Sequence, residues 1–270
     1  AGDLNADGRD DFIIGAPLAS PDGRARAGSV YLFSGMDGGL LRRVDGPAAG
    51  DLLGLSMAGM GDVNGDGTAD LAAGAPFADR DGKSDAGSVL VFSGLDGALL
   101  FEKNGTFPFD YLGWSVDGVG DVNADGKSDF IGGAPFSNPD GHFDGGLVLV
   151  FSGADGSLLF QKSGTQGLEE LGWSLAGLGD LNGDGGSDFI IGAPGSNRAS
   201  IYVACSAGKG DFNADGGFSP ADVVLSLFCV FPGRENCAGC FSDLNCDGLL
   251  TIADVVGELN AVFLQIPPPC

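Results

Sequence analysis

Basic residues are scarce in this chain: 13 Lys and Arg stand against 37 Asp and Glu in 270 residues, for a net charge of −24. A chain this acidic does not coat nucleic acid or an anionic membrane. Glutamate is scarcer still. Only five of the acids are Glu, which leaves 32 Asp, the acid of turns and metal loops rather than of helix surfaces. There is one histidine, and no apolar run approaches the roughly 18 residues that a membrane span needs. Cysteine is absent from the first 204 residues, and Cys205, Cys229, Cys237, Cys240, Cys246 and Cys270 all fall in the last 66. That asymmetry marks a boundary near residue 205. The chain opens on Ala-Gly-Asp, with neither an initiator Met nor a signal peptide, as expected of a product that is processed or cut from something longer.

What is abundant is glycine, 50 residues of it, within a composition that is 43% hydrophobic. Glycine does not recur at every third position as in collagen, and the apolar content is too high for disorder, so a turn-rich β protein remains. The repeats settle its organisation. Asp-x-Asn-x-Asp-Gly-x-x-Asp begins at Asp3, Asp62, Asp121 and Asp180, a constant step of 59 residues. Gly-Ala-Pro keeps that step from Gly15, Gly74, Gly133 and Gly192, as do Phe-Ser-Gly from Phe33, Phe92 and Phe151, and Leu-Gly-x-Ser from Leu53, Leu112 and Leu171. Within one period, 56–61, 70–76, 88–93 and 99–103 are short apolar segments bounded by Gly, Asp or Pro. Four short strands per repeat make a propeller blade, and no stretch has the length or period of a paired helix. Trp114 and Trp173 occupy matching positions and are expected to wedge between blades.

The Asp-rich loop followed by an apolar strand ending in Gly-Ala-Pro resembles the FG-GAP repeats of the integrin α-subunit propeller, over residues 1–205. The fold class this implies is an all-β propeller of FG-GAP blades. That family closes about seven blades, against three periods and a fraction here, so upstream blades are expected to be missing; four-bladed closure is the alternative.

Alternate side chains of each loop point inward, and the seventh residue offers a carbonyl. This makes an all-oxygen cage for a hard cation. The ligand sets are Asp3, Asn5, Asp7 and Asp11 with the Arg9 carbonyl; Asp62, Asn64, Asp66 and Asp70 with Thr68; Asp121, Asn123, Asp125 and Asp129 with Lys127; and Asp180, Asn182, Asp184 and Asp188 with Gly186. Calcium suits an irregular loop better than magnesium, and three close carboxylates repel unless a divalent ion neutralises them. Because strands alternate in direction, the Asp-rich loops and the Ser-Gly-x-Asp-Gly turns share one face, and the longer, more variable connections share the other. Recognition of a protein or carbohydrate ligand is expected on that variable face, with 107–111 the favoured contact patch.

A second acidic pattern starts at Asp211 and Asp243, with its last acid at position twelve and an amphipathic stretch after it. These are EF-hand-type loops, with ligands Asp211, Asn213, Asp215 and Asp222 plus the Gly217 carbonyl, and Asp243, Asn245, Asp247 and Asp254 plus that of Leu249. The pair, 32 residues apart, resembles a type I dockerin and makes 206–270 a small α-helical domain. The resemblance implies two calcium ions, about six in the whole chain, and docking onto a cohesin domain through Pro220, Ala221, Ile252 and Ala253. The six cysteines there are expected to form disulfides in an oxidising compartment, which places the chain outside the cell. Cys205 with Cys270 closes the longest loop, and a zinc site at Cys237 and Cys240 lacks a second pair of ligands.

No nucleophile motif or phosphate loop is present. His142 reads as a solvated loop residue, and Glu169-Glu170 is a like-charged pair in a variable loop. The expected function is therefore non-catalytic: a secreted calcium-binding adhesion or assembly protein. The alternative is the non-catalytic C-terminal part of a larger secreted hydrolase of glycoside hydrolase or phospholipase type. Six loops of three Asp account for 18 of the 32, and six calcium ions would bring −24 to −12.

Overall fold

The computed structural model describes residues 1–204 except Asn182 and Asp184. Residues 205–270, where the dockerin-like domain with its helices, calcium loops, disulfides and recognition positions is expected, lie outside the described residues. Those described divide between two compact units. One holds Ala1–Asp121, Asp125–Leu178 and Phe189–Ile201; the other takes in Val122–Ala124, Gly179–Asp188 and the residues from Tyr202.

Among the described residues, fourteen strands form four antiparallel sheets, one per repeat, in the succession of propeller blades. The first sheet contains β1 (Phe12–Ala16), β2 (Ser29–Phe33) and β3 (Leu40–Asp45). The second contains β4 (Met57–Gly59), β5 (Leu71–Ala75), β6 (Ser88–Phe92) and β7 (Leu99–Asn104). The third repeats this with β8 (Ser115–Gly120), β9 (Asp129–Ala134), β10 (Leu147–Phe151) and β11 (Leu158–Ser163). The fourth comprises β12 (Ser174–Gly179), β13 (Asp188–Ala193) and β14 (Arg198–Tyr202). Within each sheet the strands pair in sequence order, as an antiparallel meander. The four apolar segments of the repeat thus become strands where the sequence placed them.

The strands differ in composition because they differ in burial. β6 (Ser-Val-Leu-Val-Phe) and β10 (Leu-Val-Leu-Val-Phe) are buried throughout, which requires an unbroken apolar run instead of alternation. The outer strands β3, β7 and β11 carry Arg42, Arg43, Glu102, Lys103 and Lys162, charges that keep an open edge from pairing with another chain.

Successive sheets stack through two apolar layers. Val30, Leu32 and Val44 of the first sheet meet Leu71, Ala73, Leu90 and Phe92 of the second. The opposite face of that second sheet, Ala72, Val89 and Val91, meets Phe130, Leu149 and Phe151 of the third. Isolated parallel bridges stitch each junction at the same step: Gly28 with Leu53, Gly87 with Leu112 and Gly146 with Leu171.

The Gly of Gly-Ala-Pro is required by this stacking. A Cβ on Gly74 would run into the Gly113 carbonyl oxygen of the next sheet, and one on Gly133 into that of Gly172. Neither glycine has a positive φ, so close approach alone excludes a side chain. Gly133→Ala is therefore expected to cost about 2–3 kcal/mol as an overpacked junction. That corresponds to a melting temperature lower by roughly 4–12 °C for a domain of this size. Gly141→Ala, where φ is +81° and nothing lies within 4 Å of the added Cβ, is expected to cost about 1 kcal/mol. Equal melting temperatures for the two variants, read by circular dichroism, would contradict the packing account.

Candidate metal-binding loops

The Asp-rich loops of the second, third and fourth repeats join the first two strands of their sheets and that of the first repeat precedes β1, and each winds around its own first carboxylate. Asp3 accepts the N–H groups of Asn5 (3.3 Å), Asp7 (3.2 Å) and Gly8 (2.8 Å). Asp62 accepts those of Gly65 (2.6 Å), Asp66 (3.1 Å) and Gly67 (2.8 Å). Asp121 takes Asp125 (3.0 Å) and Gly126 (2.8 Å), and Asp180 takes Gly183 (2.7 Å) and Gly185 (2.8 Å). This winding needs a left-handed residue at position six, and Gly8, Gly67, Gly126 and Gly185 have φ between +84° and +92°. The amides stabilise the charged form, that of Gly8 most of all, and hold the Asp3 carboxyl below the ordinary range.

The third and fifth positions pair on the rim. Asn5 Nδ2 donates to Asp7 (2.9 Å) and Asn64 Nδ2 to Asp66 (2.8 Å), while the two Asn Oδ1 atoms accept the Asp7 and Asp66 amides. Asp66 also accepts the Thr68 hydroxyl at 2.5 Å, which holds its carboxyl below the usual value. Two further groups reach this position from the turn after the third strand. Ser93 Oγ donates to Asp66 (3.1 Å) and Ser152 Oγ to Asp125 (3.4 Å). These serines belong to the Phe-Ser-Gly repeat, whose step of 59 was visible without revealing what the serine does.

The ninth-position acids Asp11, Asp70, Asp129 and Asp188 are buried beneath the loops. In Asp11, Asp70 and Asp188 one oxygen accepts the amide of the loop's second residue: Leu4 (2.8 Å), Val63 (2.9 Å) or Leu181 (2.8 Å). The other oxygen accepts an amide beyond the third strand: Gly35 (2.9 Å), Gly94 (3.1 Å), Gly153 (2.9 Å, on Asp129) and Ala204 (2.8 Å). Loop and turn thus share one face, joined by this carboxylate. Burial pushes Asp70 above its ordinary value against the pull of the Gly94, Val63 and Asn64 amides.

At position seven Arg9 is exposed and Thr68 buried, while Lys127 sends its Nζ to the Asp62 carbonyl of the preceding loop (3.3 Å). The donors are hard oxygens held on a glycine-dependent loop, the chemistry calcium takes. Their carboxylates nevertheless point to separate tasks, and among the described residues no three His, Cys, Asp or Glu side chains converge as one ligand set. Asn182 and Asp184 of the fourth loop, the two EF-hand-type loops and Pro220, Ala221, Ile252 and Ala253 lie outside the described residues.

The opposite face is ordered by a motif that sequence reading missed. Asp51, Asp110 and Glu169, again 59 apart, are buried and cap their own loops, accepting the amides of Ala48 (3.1 Å), Phe107 (2.7 Å) and Thr165 (2.7 Å). Glu169 is therefore a loop cap instead of half of an acidic pair. Arg80 donates from Nη2 to Asp51 (2.9 Å) and from Nε to Glu102 (2.6 Å). Burial alone would lower its pKa, but those two acids outweigh it and the value is raised.

Beside these caps runs a row of rings: Phe77 and Tyr111 (5.2 Å), Tyr111 and Phe136 (5.5 Å), Phe136 and Trp114 (5.1 Å), Trp114 and Trp173 (5.2 Å). The two tryptophans are not a buried wedge. Trp173 is 39% exposed and Trp114 half-buried, because the junction itself is filled by glycine and backbone.

Removing the Asp51 carboxylate leaves Arg80 without its better-buried partner and the Ala48 amide uncapped. Asp51→Ala is expected to cost about 3 kcal/mol by denaturant melting, because the remaining charge stays largely buried. A loss below roughly 0.5 kcal/mol would place the pair among ordinary surface ion pairs.

The FG-GAP repeat model matches residues 1–33, 58–92, 112–151 and 171–209, more than half of the chain. Human integrin alpha-IIb is 31% identical over 266 residues, covering 92% of this chain and 24% of the integrin. Bovine phosphatidylinositol-glycan-specific phospholipase D is 33% identical over 194 residues, covering 66% of this chain and 22% of the phospholipase. The chain thus spans about a quarter of the length of these relatives. A solved structure of an exotype rhamnogalacturonan lyase aligns with TM-score 0.44 at 16% identity over 82% of this chain and 40% of the lyase, too loosely to inform fold or function. Each of the four matched segments contains an Asp-rich loop and the Gly-Ala-Pro that follows it, and the chain belongs to the FG-GAP repeat family.

Proposed function

We propose that this chain is a secreted, non-catalytic binding protein. In this reading calcium stiffens the propeller, the face of the variable connections, opposite the Asp-rich loops, recognises a ligand, and the dockerin-like segment anchors the chain to a cohesin domain. The observation that carries the reading is the fourfold recurrence of one loop conformation, with its first carboxylate held by loop amides and only oxygen donors on its rim. Calcium would supply the positive charge that close carboxylates otherwise lack. Asp3, Asp7 and Asp11, and their counterparts in the other loops, would hold it together with the Asn side chain and the seventh carbonyl.

The aromatic row supports recognition on the opposite face, since half-buried rings ending in the exposed Trp173 beside variable loops are a common basis of protein and carbohydrate contact. An alternative role, as the accessory part of a larger secreted hydrolase, draws support from the phospholipase D relative. It predicts a catalytic module encoded in the same reading frame.

Calorimetric titration is expected to give about six calcium ions in the two loop classes, and chelator to lower the melting temperature. One site at calcium 100-fold above its Kd contributes about 2.7 kcal/mol. Asp70→Asn is expected to remove one ion from the stoichiometry. Cohesin capture should vanish in chelator and in the Asp222→Asn, Asp254→Asn double variant, whose propeller still melts cooperatively. Absence of binding heat overturns the calcium reading, and capture that persists in chelator overturns the docking reading.

A further inference from the structure

Neighbouring Asp-rich loops touch one another through contacts that keep the step of 59. The glycine before a loop faces the eighth residue of the next one: a Cβ on Gly2 would stand 2.9 Å from the Ala69 Cβ, and one on Gly61 2.9 Å from the Ser128 Oγ. The second residue of a loop meets the turn of the next sheet, with Leu4 3.0 Å from an added Cβ on Gly94 and Val63 3.1 Å from one on Gly153. Both junctions thus hold two loops side by side.

One contact breaks the pattern. The carbonyl of a loop's first residue accepts a hydrogen bond from the loop that follows, but the donors differ in charge. At the first junction the neutral amide of Ala69 donates to Asp3 (2.9 Å), and at the second the ammonium of Lys127 donates to Asp62 (3.3 Å). Lys127 is half-buried, and its Nζ lies 3.7 Å from where a Cβ on Gly65 would stand, so the charge rests beside the turn of the second loop. Asp62 is the residue around which that loop winds, its carboxylate taking the amides of Gly65, Asp66 and Gly67. Among the described residues no carboxylate forms an ion pair with Lys127, so no direct partner cancels its charge there.

We propose that the Lys127 ammonium is the resident counter-cation of the second loop and sets its affinity for calcium. It neutralises part of the Asp62, Asp66 and Asp70 charge when no metal is bound, and it repels a divalent ion that enters. This inference rests on the calcium reading above. A unit charge beside a divalent-cation site near the surface weakens binding about tenfold, and salt screens the effect. A purely structural role has the opposite sign, because losing the bond to Asp62 would loosen the loop and weaken its hold on the ion. The same charge stabilises the empty loop, so removing it should widen the stability gap between calcium and chelator.

Calcium titration of the whole chain, followed by the amide resonances of Gly8, Gly67 and Gly126, reads three loops separately. Lys127→Met keeps the backbone carbonyl that the third loop offers. It is expected to lower the Gly67 midpoint about tenfold at low ionic strength, and by much less in concentrated salt. Lys127→Arg should keep the wild-type midpoint, and the Gly8 midpoint should stay in place in both variants. In chelator Lys127→Met should melt below wild type. A Gly67 midpoint that stays or rises in both Lys127→Met and Lys127→Gln overturns the proposal and leaves the calcium reading intact. If no loop resonance responds to calcium, both fall.

Discussion

The buried ninth-position aspartate is the constraint on which the rest of the loop face depends. A carboxylate taken out of water costs several kcal/mol unless its oxygens find partners. Asp70 finds them in two places at once, at Val63 inside its own loop and at Gly94 in the turn 24 residues on. Asp11 does the same with Leu4 and Gly35. Each such acid therefore fixes where an otherwise irregular loop sits relative to its sheet. It also explains the recurrence of Gly after Phe-Ser, since a Cβ on Gly94 or Gly153 would run into the backbone of the loop it faces.

A second constraint, tight stacking of sheet on sheet, governs the other face. Glycine meets glycine where Gly-Ala-Pro passes Leu-Gly-x-Ser, and that leaves no room for large side chains in the junction. The aromatic residues that follow are displaced outward, so Trp114 and Trp173 join Phe136 and Tyr111 in a row at the surface. Rigid junctions and buried caps such as Asp51 and Glu169 hold those rings in place. Hydrogen bonding on one face and close packing on the other thus give the repeat two differently constructed ends.

Much of this was legible in the residues. The step of 59 placed every sheet, and the apolar runs at 71–75 and 88–92 fell within a residue or two of the strands expected. The loop positions were legible because Asp, Asn and Gly recur at fixed offsets. The partner of each carboxylate was not legible. Asp70 reads as a cation ligand by spacing, and the fold adds two backbone amides to its oxygens, one of them from a segment no local pattern connects to it. Asp51, Asp110 and Glu169 were missed although they keep the same step, because the substitution of Glu for Asp and the variable loops around them hide the repeat.

The sequence by itself determined the repeat, the strand order within it, the loops that carry the acids and the family to which the chain belongs, because each rests on local periodicity or on short-range turn geometry. Tertiary structure alone decided which carboxylates are buried and which rings reach the surface. Those outcomes depend on what the neighbouring repeat places opposite a residue, as Phe130 is buried by Ala72, Val89 and Val91 of the second sheet.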